Sequence, residues 1–296
     1  MTVRSRDMRM ATPPIFLINL DRSHERLALM QAQANDLGLV LERVPAIDGT
    51  KQLPGWMVAQ FMDRRERVRG GLSEGEVGCY ASHLLVFSKI VERRLEAAIV
   101  LEDDAVLDAD FERMALAAVR AAPAGWDCIH LSTDFKRPAF PIADLGSGRS
   151  LVRYKRLPVN SLGYVVSLAG ASKLLEARHR VRPFDLEFRM AWMTGLEMFG
   201  TYPALARANA KFETTIRAAW KDYGCTATRV QWKPSWASRL HGWFYVMARL
   251  KPTGALHCLT RSPRDRAQVP TSAAARDWGI ARSQNGKPSW QSDTGS

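Results

Sequence analysis

The stretch Ala97-Ala98-Ile99-Val100-Leu101-Glu102-Asp103-Asp104 decides how this chain is read. Five apolar residues stop abruptly at three carboxylates. A short continuous apolar run is the pattern of a strand buried in a parallel sheet. In open α/β sheets, ligands collect beyond the carboxyl ends of the strands. Three adjacent acids repel one another, so packing gives no reason for them, whereas a divalent cation does. Residues i and i+2 of a strand share a face, which predicts that Glu102 and Asp104 face one cation. If the strand ends before Asp104, that pairing lapses and Asp103 becomes the ligand instead. Carboxylate oxygens suit magnesium or manganese, which keep open positions for water and phosphate. A solvated acidic turn is the other reading of these eight residues.

Working outward, the preceding segment starts with a capping-box pattern, Ser73 and Glu76. A mostly apolar helix follows through Val77, Tyr80, Ala81, Leu84, Phe87 and Val91, interrupted by Ser82 and His83. His83 reads either as a core histidine or as a catalyst. Earlier still, Pro14–Leu20 reads as a buried strand, and Ser23 as the N-cap of a helix carrying Leu27, Met30, Ala34 and Leu37. Gly38 closes that helix, Leu39–Val44 returns as a strand, and Asp48-Gly49 is a turn. This β-α-β order implies a parallel pair. Asn19 and the arginines after it, Arg22 and Arg26, fall at the carboxyl end of the first strand, where a nucleotide usually sits. The guanidinium groups suit phosphates; a solvated helix start is the alternative.

Pro54–Val68 reads as a helix. Beyond the acids, Phe111–Ala121 is a helix, Trp126–Ser132 a strand, and Asp134–Gly148 a Pro- and Gly-rich loop, a candidate lid. Ser161–Ser167 is a strand followed by a helix. Asp185 reads as the N-cap of the next helix, and Thr201–Leu205 as a last edge strand, because proline is confined to edges.

The chain has 296 residues, 46% hydrophobic and 24% charged, which is globular composition. No apolar run reaches the roughly 18 residues needed to span a bilayer, and the N-terminus lacks the apolar core of a signal peptide. No G-x-G-x-x-G or P-loop is present. Cys79, Cys128, Cys225 and Cys258 form no C-x-x-C pair and read as free thiols of a reducing compartment, Cys79 and Cys128 as small buried hydrophobes. Of the formal charge of +12, residues 205–296 carry +10. There Trp220, Trp232, Trp236, Trp243 and Phe244 interleave with basic residues, and Ser235–Leu250 has the pattern of an amphipathic helix. It suits an anionic membrane surface or packing against the body. The polar stretch after about Thr260 is expected to be disordered.

Three blocks together resemble glycosyltransferase family 25, the lipooligosaccharide and collagen galactosyltransferase-like family. They are Ile18-Asn19-Leu20-Asp21-Arg22-Ser23 with Arg26 and Ala46-Ile47-Asp48-Gly49; Leu72-Ser73, Gly75–Cys79 and Ser82-His83 running to Glu102-Asp103-Asp104; and Gly163–Ser167 with Gly170-Ala171, then Pro183 and Asp185. The resemblance implies an A-type glycosyltransferase fold: α/β, a mostly parallel Rossmann-like sheet flanked by helices, with a basic C-terminal extension. The expected organisation is a flexible 1–13, a transferase domain over 14–209, a basic aromatic segment over 210–259 and a disordered 260–296. It further implies a nucleotide-sugar donor, UDP-galactose favoured, and a saccharide or lipid-linked saccharide acceptor in lipopolysaccharide biosynthesis. A divalent cation, manganese favoured over magnesium, is held by Glu102, Asp103 and Asp104. By position, Asn19, Arg22, Arg26, Asp48, Gly49, Ser82 and His83 are donor-side residues. Inversion is the default stereochemistry, with Asp185 as first candidate base and His83 as second. The expected location is cytoplasmic, peripheral on the inner membrane face. The competing class is a catalytically degenerate transferase-like body that binds nucleic acid or another anionic partner through its tail.

Overall fold

The computed structural model describes residues 12–132, 139–154, 157–212 and 236–249. The chain opens as β1 (Ile15–Asn19), α1 (His24–Leu37) and β2 (Leu41–Pro45), with β1 and β2 paired in parallel. Gly38 ends α1 at φ 66°, and its N–H donates to the Ala34 and Asn35 carbonyls. Ser23 sits at the N-cap position, but its side chain makes no capping bond. α2 (Gly55–Phe61) and a 3₁₀ turn (Arg69–Gly71) lead into α3 (Glu74–Glu92), whose N-terminus carries the full Ser73/Glu76 capping box. β3 (Ala97–Glu102) lies on the other side of β1, also parallel, with Ile18 opposite Glu102.

The chain continues through β4 (Ala105–Leu107), α4 (Phe111–Ala121), β5 (Cys128–His130), β6 (Ala139–Gly146) and β7 (Arg149–Tyr154). Then come β8 (Gly163–Ser167), α5 (Leu168–Leu175), α6 (Phe184–Arg189), α7 (Ala191–Thr194), β9 (Met198–Tyr202) and β10 (Ala206–Ala208), and finally α8 (Trp236–Arg249). Eight strands form one sheet in the order β2-β1-β3-β8-β5-β9-β7-β6, and β10 and β4 make a separate ribbon. The pairings send six of the eight strands the same way, with only β8 and β7 reversed. The sheet is therefore mixed and mostly parallel, flanked by helices.

The two-residue period of β1 explains its two cores. Phe16 and Ile18 pack with α3 and α5 on one face, through Leu84, Phe87 and Leu174. Ile15 and Leu17 pack with α1 and α4 on the other, through Met30, Met114 and Ala118. Each such fully buried side chain contributes about 1.5–3 kcal/mol.

Four expectations need correction. The helix expected over 54–68 stops at Phe61, because the Asp63 carboxylate captures the N–H groups of Arg65 and Arg67 and closes a turn. Of the candidate lid over 134–148, residues 139–146 form the hairpin strand β6, and 134–138 lie outside the described residues. Pro141 is tolerated there because β6 is the outermost strand and its register shifts at Pro141/Ala143 and Asp144/Gly146. The expected edge strand at 201–205 begins at Met198 as β9 and lies inside the sheet, between β5 and β7, with Pro203 past its end. Asp185 is not the N-cap of α6, which is Pro183, but lies in the first turn. The tail calls at 1–11, 213–235 and 250–296 lie outside the described residues. Among the described residues, no helix is long and apolar enough to cross a membrane.

His130, at the end of β5, is 0% exposed, and neither ring nitrogen has a hydrogen-bond partner among the described residues. Tyr154 and Phe188 meet the ring edge-on. Burial lowers its pKa from 6.5 to about 4. The unfolded chain therefore binds the extra proton first, and stability present above pH 6.5 is lost as pH falls toward 4. That shift corresponds to about 3 kcal/mol. Urea unfolding of wild type and His130→Phe at pH 7.5 and 4.5 checks this: the wild type is expected to lose about 3 kcal/mol more than the variant on acidification. Equal losses would contradict it.

Candidate active site

The parallel strands β1, β2, β3, β5 and β9 all end at one edge of the sheet. Because β1 and β3 are neighbours in register, Asn19 stands beside the acidic triplet. The Asn19 amide donates to Asp103 Oδ2 at 2.8 Å and to the Ser23 carbonyl at 3.1 Å. Its own oxygen accepts from Arg43 Nε at 2.9 Å. Arg26 donates to Asp103 Oδ1 at 3.0 Å, and its guanidinium lies over the Phe212 ring. Asp103 is thus fixed by one amide and one cation.

β3 ends at Glu102, so the expected strand geometry, with Glu102 and Asp104 on one face, does not hold; Asp103 and Asp104 lie in the turn that follows. Glu102 accepts from Ser161 Oγ and faces His83 Nε2 at 3.3 Å. Burial pushes its carboxyl up, but the bonds from His83 and Ser161 and the charge of Arg26 outweigh burial and hold it below the ordinary range. Asp104 lacks such partners. Among the described residues its buried Oδ1 has no hydrogen-bond partner, and burial, reinforced by Glu102, pushes its carboxyl up to about 6. An orphaned carboxylate oxygen among three acids fits a divalent cation, whose hard oxygen preference matches this donor set.

His83 is 1% exposed. Its Nδ1 meets the Tyr164 hydroxyl at 2.8 Å, and its ring stacks on Phe184 at 4.1 Å. A tautomer with hydrogen on Nε2 satisfies both contacts, with Tyr164 donating to Nδ1 and Nε2 donating to Glu102. Asp185 Oδ1 accepts from the Leu186 N–H at 2.7 Å; burial, with Glu102 and Glu76 adding to it, pushes this carboxyl up to about 6.

The loop at 46–50 is held against α3. Ser82 Oγ accepts from the Ile47 N–H at 2.8 Å and donates to the Gly78 carbonyl at 2.7 Å, so its hydroxyl is spent on positioning. A Cβ on Gly49 would lie 1.8 Å from the Glu74 carbonyl oxygen, and one on Gly78 2.6 Å from Gly49 N. Two glycines thus let backbone meet backbone. The loop carries Asp48, which accepts from Thr50 and pairs with the exposed Arg22; the Thr50 hydroxyl bond, aided by Arg22, holds its carboxyl below the usual range.

The sequence reading missed Cys79, Ser161 and Tyr164 as neighbours of this site. Cys79 is partly exposed as a residue, and burial of its thiol, with Glu102, Asp185, Asp104 and Glu76 adding to it, pushes the thiol well up. Its sulfur, a His83 ring nitrogen and a Glu102 oxygen lie within 4.8 Å of one another. The signal was present in the sequence, since Cys79 and His83 are four apart on one helix.

Residues 12–188 match the family model described as glycosyltransferase family 25 (LPS biosynthesis protein). Procollagen galactosyltransferase 2 of Mus musculus is 29% identical over 177 residues, covering 57% of this chain and 28% of its own length. A glycosyltransferase 25 family member of Aedes aegypti is 32% identical over 184 residues, covering 57% and 29%. Procollagen galactosyltransferase 1-A of Xenopus laevis is 30% identical over 187 residues, covering 60% and 30%. The chain thus spans less than a third of the length of each of these relatives.

Proposed function

The chain belongs to glycosyltransferase family 25, and we propose that it moves a hexose, galactose favoured, from a nucleotide sugar to a saccharide or lipid-linked saccharide in cell-surface glycan synthesis, the lipopolysaccharide class favoured. The observation that carries this reading is the convergence of Glu102, Asp103, Asp104, Arg26 and Asn19 at the carboxyl edge of β1 and β3, with one Asp104 oxygen buried and unbonded. The names of the galactosyltransferase relatives support the sugar.

Glu102, Asp103 and Asp104 would hold a divalent cation, manganese favoured, which supplies Lewis-acid neutralisation of the leaving diphosphate. Arg26, with Arg22 at the rim, adds positive charge for the phosphates. Asn19 keeps Asp103 oriented, and Ser82 with Gly49 keeps the Asp48 loop seated on α3. Asp185 is the general base of an inverting transfer. The acceptor oxygen bonds to the anomeric carbon, the bond from that carbon to the diphosphate breaks, and the hydroxyl proton goes to the Asp185 carboxylate. Its raised pKa suits a base working near neutrality. Both nitrogens of the buried His83 are engaged, which favours a role in orienting Glu102 over a role as base.

α8 supports peripheral attachment to an anionic, cytoplasmic membrane face. One side of the helix docks on the body: Gly242 lies under Trp192, and the Tyr245 hydroxyl donates to the Leu196 carbonyl. The other side exposes Trp236, Leu240, Trp243 and Phe244, at 79%, 44%, 45% and 55%.

Nucleotide release from a panel of nucleotide sugars, with and without manganese, is expected to single out UDP-galactose and to need the metal. Asp185→Asn should then cut kcat by about 100-fold or more and abolish the rise of kcat that wild type makes as pH climbs through about 6. Near-wild-type turnover in Asp185→Asn removes it as base, and oligonucleotide binding without release from any donor favours the degenerate reading. Sedimentation with phosphatidylglycerol vesicles tests α8: combined Trp236→Ala, Trp243→Ala and Phe244→Ala should release the protein, and unchanged pelleting would refute the attachment.

A further inference from the structure

Helix α3 presents Cys79 and His83 from consecutive turns toward the end of β3, where Glu102 supplies a carboxylate. Their sulfur, nitrogen and oxygen atoms lie within 4.8 Å of one another. Each fixed ligand has a support of its own. The Tyr164 hydroxyl holds His83 Nδ1 at 2.8 Å and leaves Nε2 aimed at Glu102, and Phe184 clamps the ring. Ser161 holds Glu102 Oε1. Histidine ligands of metals make this kind of outer contact through their second nitrogen. Cys79 itself is partly exposed.

We propose that Cys79, His83 and Glu102 form a cation site of the zinc class, which overlaps at Glu102 the oxygen-lined site that this residue makes with Asp103 and Asp104. A thiolate and an imidazole select zinc or cobalt over manganese and magnesium. On binding, the Cys79 thiol gives its proton to solvent and the sulfur bonds the metal, while the His83 proton shifts from Nε2 to Nδ1, where it is donated to the Tyr164 hydroxyl and frees Nε2 for the metal. Three protein ligands leave a fourth tetrahedral position for water. Glu102 is also assigned to the donor cation, so the two occupancies exclude each other and zinc inhibits transfer. That consequence rests on the donor-site reading; the binding itself does not.

The test is a cobalt titration of the full chain in which Cys225 and Cys258 are replaced by serine. Cys128 is 0% exposed within the core, leaving Cys79 as the partly exposed cysteine among the described residues. The expected result is a near-ultraviolet thiolate-to-cobalt charge-transfer band that saturates at one equivalent, is displaced by zinc, and is lost in Cys79→Ser. No band, or a band that survives Cys79→Ser, overturns the site. Should Cys79→Ser fail to fold, the unsubstituted protein decides: saturating zinc is expected to block alkylation of Cys79 by iodoacetamide, located by peptide mass spectrometry, and unchanged alkylation overturns the proposal.

Discussion

Carboxylates packed together at the end of a buried strand must find counter-charge or lose their ionisation. Glu102, Asp103 and Asp104 meet that constraint in three different ways. Asp103 takes a cation and an amide, from Arg26 and Asn19. Glu102 takes two side-chain donors, from His83 and Ser161. Asp104 takes neither for its buried oxygen, and its carboxyl rises to about 6. The parallel pairing of β1 with β3 makes this division possible, because it sets Ile18 opposite Glu102 and so brings Asn19 and α1 to the same edge.

Helix α3 ties the remaining parts to that edge. Its capping box fixes where it begins. Gly78 admits the backbone of the 46–50 loop, Ser82 bonds that loop, and His83 reaches Glu102 while stacking on Phe184 of α6. The turn bearing Asp185 starts from the same α6. The 46–50 loop, Glu102 and the helix bearing the candidate base are therefore all packed against α3.

The sequence carried the strands and helices with strong periodicity. β1, α1, β2, α3 and β3 follow from apolar spacing, the capping box and Gly38. It carried β6 poorly, because Pro141, Asp144 and Gly146 are loop residues by type and become strand only on the protected outer edge of a sheet. The interior place of β9 was illegible for a related reason: Pro203 signals an edge, yet it stands past the strand rather than in it. At the site, residue types pointed to the triplet, but where β3 stops could not be read from alternation, so the sharing of Glu102 and Asp104 on one face failed. The hydroxyl of Ser82 bonds Ile47 and Gly78, 35 and 4 residues away, and the longer of these contacts is set by the fold alone. Cys79 reads as a small hydrophobe by sequence, because only the fold brings Glu102 to it.

The central claim is that the acids at the end of β3 bind the donor diphosphate through a divalent cation. Calorimetric titration of UDP into the full chain, with and without manganese, tests it most directly when paired with Asp104→Asn. The account predicts that manganese tightens UDP binding to the wild type by about tenfold or more, a gain of about 1.4 kcal/mol, and that Asp104→Asn loses that dependence. Equal affinity with and without manganese in the wild type, or a full manganese effect in Asp104→Asn, would contradict it.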